Sequence, residues 1–195
     1  MKLVLATNNK NKLREIQSIL GQKFDEIVTL KDLNLDIEVE ETGTTFLENA
    51  MLKANEICKI TGLPALADDS GLSVDALDGA PGVYSARYAG LQHNDVDNNA
   101  KLLDALKNET NRKAHFTSAV VLCFPDGKSL SAEGYAEGEI LKELRGDNGF
   151  GYDPLFYSFE LKKTFAQATA LEKNAISHRA QALQKLLDKL NMQNA

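Results

Sequence analysis

Ala67-Asp68-Asp69-Ser70-Gly71 sets two carboxylates side by side at the end of a short apolar run that begins at Leu63. Adjacent like charges repel unless a cation lies close, so the pair asks for partners elsewhere in the chain. Read as a buried strand emerging into a turn, the stretch puts reactive groups where α/β proteins carry them, at a crevice beyond a strand end. Oxygen ligands beside a hydroxyl suit Mg²⁺, which takes one or two carboxylates and leaves the rest of its sphere to water and phosphate. An ordinary Asp-Asp-Ser-Gly β-turn accounts for the same residues, since Asp, Ser and Gly are turn formers. The stretch alone leaves both readings standing.

Composition narrows the class. The 195 residues suffice for one domain or two lobes sharing a core. With 43% hydrophobic and 26% charged residues, the chain has an ordinary globular balance. A net charge of −6 argues against an extended nucleic-acid footprint, though not against a small anion held by a few lysines. Leu3 to Ala6 is too short for a signal-peptide core, and no apolar run approaches membrane-spanning length. Cys58 and Cys123 both fall in apolar patterns and read as buried, reduced thiols. The expectation is a cytoplasmic protein without nucleic-acid or membrane partners.

Working outward, Lys2 to Ala6 reads as a buried strand, and an amphipathic helix with Leu13, Ile16, Ile19 and Leu20 on one face follows Thr7-Asn8-Asn9-Lys10-Asn11-Lys12. Free N–H groups at such a helix start favour an anion, and Lys10, Lys12 and Arg14 at the positive end of the dipole want one. An asparagine cap with solvated lysines is the other reading. The loop is not a P-loop, because GxxxxGK[ST] is absent. Glu26 to Leu30 and Leu35 to Val39 read as strands, the second running into Glu40-Glu41, which point to opposite faces if the chain stays extended. Thr45-Phe46-Leu47-Glu48 has capping-box spacing for a helix with Phe46, Ala50, Ala54, Ile57 and Cys58 inward. Asn49 and Lys53 fall off that stripe, and Lys53 by itself reads as a surface lysine.

Asn94 to Leu106 is a third helix, with Val96, Ala100, Leu103 and Leu106 expected inward. His115 to Phe124 and Leu130 to Gly138 are strands around the turn Pro125-Asp126-Gly127-Lys128. Glycines around Phe150 let the backbone come close to a ligand and leave the ring available to stack on it. Leu155 to Tyr157 continue as a strand. A closing helix begins at the capping box Thr169-Ala170-Leu171-Glu172 and turns Ile176, Ala180, Leu183, Leu187 and Leu190 inward. Ser177, His178 and Arg179 lie off its stripe, there for a ligand or for solvent.

Together these clusters supply hard-metal ligands, cations for phosphate, a stacking ring and donors for a base edge, which suits a nucleoside phosphate with Mg²⁺. In order along the chain, Thr7-x-Asn9-x-x-Lys12, Glu41-Thr42-Gly43-x-Thr45-Phe46-x-Glu48-Asn49-Ala50, Lys53-Ala54, Ala67-Asp68-Asp69-Ser70-Gly71-Leu72, Pro81-Gly82-Val83-Tyr84-Ser85-Ala86-Arg87-Tyr88, Phe150-Gly151-Tyr152-Asp153-Pro154 and Ser177-His178-Arg179 resemble the inosine triphosphate pyrophosphatase family, also called Ham1-like. Asn8, where bacterial relatives often carry glycine, and Arg145 to Gly149, where the family is often richer in glycine, are mild departures.

The resemblance implies an α/β, ITPase/Maf-like fold. Its elongated mixed β-sheet is flanked by helices, with residues 1–195 forming a single domain of two lobes and a central active-site cleft. It implies homodimers and Mg²⁺-dependent hydrolysis of ITP, dITP and XTP to the monophosphate and pyrophosphate. Carried over position by position, Asp69, Lys53 and Asp68 are catalytic, and Glu40, Glu41 and Asp69 hold the metal. Substrate contacts fall to Thr7, Asn8, Asn9, Lys10, Asn11, Lys12, Ser70, Phe150, Gly151, Tyr152, Asp153, Lys173, Ser177, His178 and Arg179. Donors from His178 and Arg179 would satisfy a 6-oxo purine and go unmatched by adenine. A Maf-like pyrophosphatase for modified pyrimidine nucleotides is the nearest enzymatic alternative. A non-catalytic nucleotide-binding protein would be expected to lack one of Lys12, Glu41, Asp69 or Lys53, and all four are present.

Overall fold

The computed structural model describes residues 2–21, 23–91 and 94–193. Its strands are β1 (Lys2–Leu5), β2 (Glu26–Thr29), β3 (Ala65–Val74), β4 (Lys113–Cys123), β5 (Ser129–Ile140), β6 (Phe156–Ser158) and β7 (Lys163–Thr164). The helices are α1 (Lys10–Leu20), α2 (Phe46–Thr61), α3 (Asp95–Ala105), α4 (Ala170–Ile176) and α5 (His178–Gln193). Among the described residues the strands form one sheet in the order β2-β1-β3-β4-β5-β6-β7. It is mixed: β1 runs parallel to β2 and β3, while β6 is antiparallel to β5 and β7. The fold is therefore α/β with a mixed sheet and flanking helices, as the resemblance implied.

The chain divides into two compact units, one comprising Met1–Asp69, Ser118–Gly134 and Arg179–Ala195, the other Ser70–Thr117 and Tyr135–His178. In the first unit the period of two along a strand sorts the core into two layers. Val4, Ala65, Ala67, Ala119 and Val121 face α2 residues Ala50, Ala54 and Ile57. Leu3, Leu5, Leu66, Val120 and Leu122 face Ile16 and Leu20 of α1 and Leu183 and Leu186 of α5. Continuing the alternation along β3 sends Asp68 to the α1/α5 side and Asp69 to the α2 side. In the second unit Leu72, Val74, Leu102, Leu106, Phe116, Phe156 and Phe165 form a separate core, with Phe116 edge-on to Phe156 at 4.7 Å between ring centroids.

Four expectations are corrected. Asp68 and Asp69 do not emerge into a turn; they lie within the ten-residue β3, and both are buried. Residues 35–39 are not a strand. Leu35, Ile37 and Val39 alternate with exposed Asp36 and Glu38 as read, but they pack on the α2 layer through side chains instead of joining the sheet. On the third helix Leu106 is buried and Leu103 half-buried as expected, but Val96 is 75% exposed and Ala100 is exposed too, and Asn98, Asn99 and Leu102 are the buried residues of α3. The closing helix is two helices, broken at Ser177, whose ψ of 155° is extended and whose N–H caps α4 by donating to the Lys173 carbonyl.

The loop before Phe150 is set by a close approach. Gly146 has φ +88°, and a Cβ there would sit 2.4 Å from the carbonyl carbon of Ala166. Asn148 N–H donates to that residue's carbonyl at 3.0 Å, so the two backbones are tied together. Gly127, at φ +87°, has open space around the same position. Gly146→Ala should therefore cost about 3 kcal/mol or more, summing left-handed strain and a backbone clash. At this chain length that lowers the thermal midpoint by roughly 6–12 °C. Gly127→Ala should cost only about 1–2 kcal/mol. Equal melting temperatures for the two variants would show that the Gly146 contact relaxes freely.

Candidate active site

Functional side chains gather in two groups, each within one unit. In the first unit Asp68 is 1% exposed and carries two cations on one oxygen: Lys12 Nζ lies 2.9 Å from Oδ2, and Arg179 Nη2 lies 3.2 Å from it. The Ser118 hydroxyl donates to Oδ1 at 2.5 Å. Arg179 is 1% exposed and also pairs with Glu15 of α1. Burial pushes the Asp68 carboxyl upward, but Arg179, Lys12 and the Ser118 hydroxyl outweigh it and hold the group well below the usual carboxylate range. Asp68 is thus a fixed negative charge.

Asp69 has different surroundings because it points the other way. Lys53 Nζ lies 3.1 Å from its Oδ1, and Asn49 Nδ2 donates to its Oδ2 at 3.3 Å. Asn49 is itself oriented by the Gly43 N–H, which donates to its Oδ1 at 2.8 Å. Lys53 also binds Glu41 Oε1 at 2.7 Å and the Asp68 carbonyl at 3.1 Å. Burial pushes the Asp69 carboxyl up, and Glu41 and Asp68 add to it against the pull of Lys12 and Lys53. The Lys53 ammonium, despite burial, is raised by Asp69 and Glu41 and stays charged. Lys53 is therefore no surface lysine. Two neighbouring carboxylates whose environments drive their proton affinities apart are a known basis for dividing structural and acid–base roles.

In this cluster Lys12, Lys53 and Arg179 face Asp68, Asp69, Glu41 and Glu15, one more anion than cation among the described residues. The donor set is oxygen only, and Glu41 and Asp69 both place a carboxylate oxygen on the same lysine nitrogen. Those features fit a hard divalent cation held by two carboxylates, with water and substrate completing its sphere. Among the described residues no three His, Cys, Asp or Glu side chains form a closed metal cage.

The helix-start loop is more self-contained than the sequence suggested. Asn9 Oδ1 accepts the N–H groups of Asn11 and Lys12 at 3.0 and 3.1 Å, Thr7 Oγ1 accepts the Asn9 N–H at 3.2 Å, and Asn8 Nδ2 donates to the Ile37 carbonyl at 3.1 Å. Lys10 is exposed, Asn11 half-buried, and Lys12 turns inward to Asp68. Glu40 is exposed while Glu41 joins Lys53, so the alternation read from the sequence separates the two.

The second group lies in the other unit. Lys173 Nζ lies 2.6 Å from Asp153 Oδ2, with both side chains buried. The same carboxylate oxygen accepts the Phe150 N–H at 2.9 Å, and the Lys173 ammonium stands 4.7 Å from the Phe150 ring centroid. A Cβ on Gly149 would meet Asp153 Oδ2 at 2.1 Å, so only glycine admits this carboxylate. The Tyr152 hydroxyl donates to the Ser85 carbonyl at 2.8 Å. His178 stacks on Phe116 at 4.8 Å with 12° between the planes. Ser177 and His178 are buried, as is Arg179, so none of the three is merely solvated. Ser70 is half-buried in β3 and Gly151 is half-buried in the Phe150 loop.

Sequence reading missed Glu15 and Ser118. Glu15 stands three positions after Lys12, a spacing that shares a helix face. Ser118 is a hydroxyl inside an apolar strand, where a buried partner is required. Arg179, expected to donate to a base edge, instead has both terminal nitrogens on carboxylates of the first unit.

The Ham1 family model matches residues 3–189. A dITP/XTP pyrophosphatase of Desulforamulus reducens is 51% identical over 193 residues, which span 98% of this chain and 96% of the relative. One of Clostridium perfringens is also 51% identical, with 97% of each chain covered. The solved structure of the Staphylococcus aureus Ham1 protein is 42% identical and superposes with a TM-score of 0.89, covering 99% of this chain and 100% of the other. With its motifs, its sheet and nearly its whole length in agreement, the chain belongs to the Ham1 family.

Proposed function

We propose that the protein hydrolyses non-canonical purine nucleoside triphosphates (dITP, ITP and XTP) to the monophosphate and pyrophosphate. The observation that carries this reading is the divided carboxylate pair: Asp68 held between Lys12 and Arg179 and, on the opposite strand face, Asp69 beside Lys53 and Glu41. The names of the relatives supply the substrate class.

Asp69 takes the proton of the attacking water, which adds to the α-phosphorus as the bond to the α–β bridging oxygen breaks. Asp68, held by two buried cations, is the less suited of the two aspartates to that step. Lys12 and Lys53 offset the charge that gathers on the departing pyrophosphate. Glu41 and Asp69 would hold Mg²⁺, which when bound supplies charge stabilisation to the phosphates and the water; exposed Glu40 is the less suited of the two glutamates. Thr7 to Asn11 lie beside Lys12 and are assigned to the phosphate end, with Ser70. Base recognition falls to the second unit, where Phe150 stacks on the purine, Lys173 and Asp153 fix the loop, and Gly151, Tyr152, Ser177 and His178 frame the 6-oxo edge. The chain is also proposed to be a cytoplasmic homodimer. Exposed Tyr84, Leu91 and Val96 in the second unit support the pairing, and two free, buried thiols suit a reducing compartment. Among the described residues no helix is long and apolar enough to cross a membrane.

Substitution at the two aspartates should separate chemistry from structure. Asp69→Asn leaves Lys53 paired with Glu41, so the fold should keep its melting temperature while turnover falls at least about 100-fold, the scale of losing a general base. Asp68→Asn strips two buried cations of their shared partner and should cost about 3–5 kcal/mol of stability. The assay is pyrophosphate release from ITP with Mg²⁺, alongside a thermal melt. Orthophosphate as the first product, full activity in excess chelator, or near-normal turnover of Asp69→Asn would refute the mechanism.

Arg179→Ala decides between two roles. As the anchor of Asp68 and Glu15 it should lower kcat/KM for ITP, XTP, GTP and ATP by a common factor and destabilise the fold by about 3–5 kcal/mol. A steep loss confined to the 6-oxo purines, with the ATP rate unchanged, would instead return Arg179 to the base edge.

A further inference from the structure

We infer that Asp95 and Asn99, on the first turns of α3, are positioning residues that hold Phe150 in the attitude a purine needs; this rests on Phe150 stacking against the base. Asp95 Oδ2 accepts the Gly151 N–H at 2.7 Å, and Asn99 Nδ2 donates to the Gly151 carbonyl at 2.8 Å. Both backbone groups of the residue that follows Phe150 are thus taken by one helix. Asn99 Nδ2 also donates to the Asp95 carbonyl at 2.8 Å, which joins the two halves of the clamp. The N–H of Phe150 itself goes to Asp153 Oδ2 at 2.9 Å. The backbone that carries the ring is therefore held from α3 and from the Asp153–Lys173 pair at once.

The burial pattern of α3 gives an independent reason to read the clamp as a requirement. Val96 and Ala100 are exposed, while Asn98 and Asn99 are buried. Asn99 Oδ1 is buried with no hydrogen-bond partner among the described residues. An unmet buried acceptor is a standing penalty that an apolar residue would avoid. What the asparagine supplies in return is the donor that reaches Gly151. Asn98 acts in the same way on the loop before α3, donating to the Ala86 carbonyl at 3.1 Å and accepting the Ala89 N–H at 2.7 Å. The inward face of this helix is built to hold loops.

Aromatic stacking depends on ring placement, and a loop pinned beforehand loses less freedom when a ligand arrives. Stacking is made alike in the bound ground state and the transition state, so loosening it raises KM and leaves kcat unchanged.

Asn99→Asp keeps the side-chain shape but turns an acceptor toward the Gly151 carbonyl, and Asp95→Ala removes the other contact from an exposed position. Without nucleotide, both should raise amide hydrogen exchange in residues 149–152. With ITP and Mg²⁺, both should raise KM about tenfold, within the range of losing a base–aromatic stack, at unchanged kcat. Asp95→Asn, which retains an acceptor oxygen, should recover most of what Asp95→Ala loses. In a Phe150→Ala background Asn99→Asp should add nothing further. Unaltered exchange overturns the clamp itself. A fall in kcat at constant KM, or losses that multiply with Phe150→Ala, overturns its action through the ring. An unchanged KM in Phe150→Ala alone overturns the stacking reading and with it the role given to the clamp, while exchange in Asn99→Asp still shows whether the contacts hold the loop.

Discussion

A carboxylate buried inside the sheet is the constraint on which the first unit depends. Taking one ion out of water costs several kcal/mol even after relaxation. A single opposite charge at 4 Å returns about 4 kcal/mol at the effective dielectric of a protein. Asp68 therefore needs more than one partner, and it has Lys12, Arg179 and the Ser118 hydroxyl. Those groups come from α1, α5 and β4, so satisfying one charge ties two helices and a strand to β3. Arg179, just as deeply buried, needs a second anion, and Glu15 on α1 provides it. The network closes on itself.

Strand geometry then does what no arrangement on a turn could do as simply. Successive residues of β3 face opposite layers, so two adjacent carboxylates are held apart without either leaving the sheet. The carboxylate on the α1/α5 side is locked as an anion. Its neighbour on the α2 side has one lysine, shared with Glu41, and an asparagine. Burial pushes its proton affinity up against the pull of Lys12 and Lys53, and the oxygen of Glu41 on the same lysine makes the position suited to a hard cation.

In the second unit polar contacts hold the glycine-bearing loop that carries the Phe150 ring. Buried Asp153 and Lys173 neutralise each other and take the Phe150 N–H into the pair. Helix α3 takes both polar groups of the next residue. His178, stacked on Phe116, leads the closing helix out of an aromatic core. Polar groups here orient a loop, and the apolar residues behind them carry the stability.

Much of this was legible in the residues themselves, because capping boxes, strand periodicity and charged motifs are local signals. The capping boxes at Thr45 and Thr169 are present as spaced, and α1 and α2 turn their expected stripes inward. The order of motifs identified the family, and the Asp68-Asp69 pair marked the centre of the buried charge cluster. Where the signal was ambiguous, only packing could decide. The apolar residues of α3 and the alternation at 35–39 are both real, yet which face is buried depends on what else needs the space, and on α3 two asparagines with carbonyls to hold displaced Val96 and Ala100. Whether Asp68 and Asp69 end a strand or lie inside one depends on a neighbouring strand continuing beside them. Local spacing hinted at Glu15 and Ser118 and marked Arg179, but not that all three would serve Asp68 and each other. Those residues are 164 or fewer positions apart in sequence and meet only in space, around a buried charge whose partners no local spacing encodes.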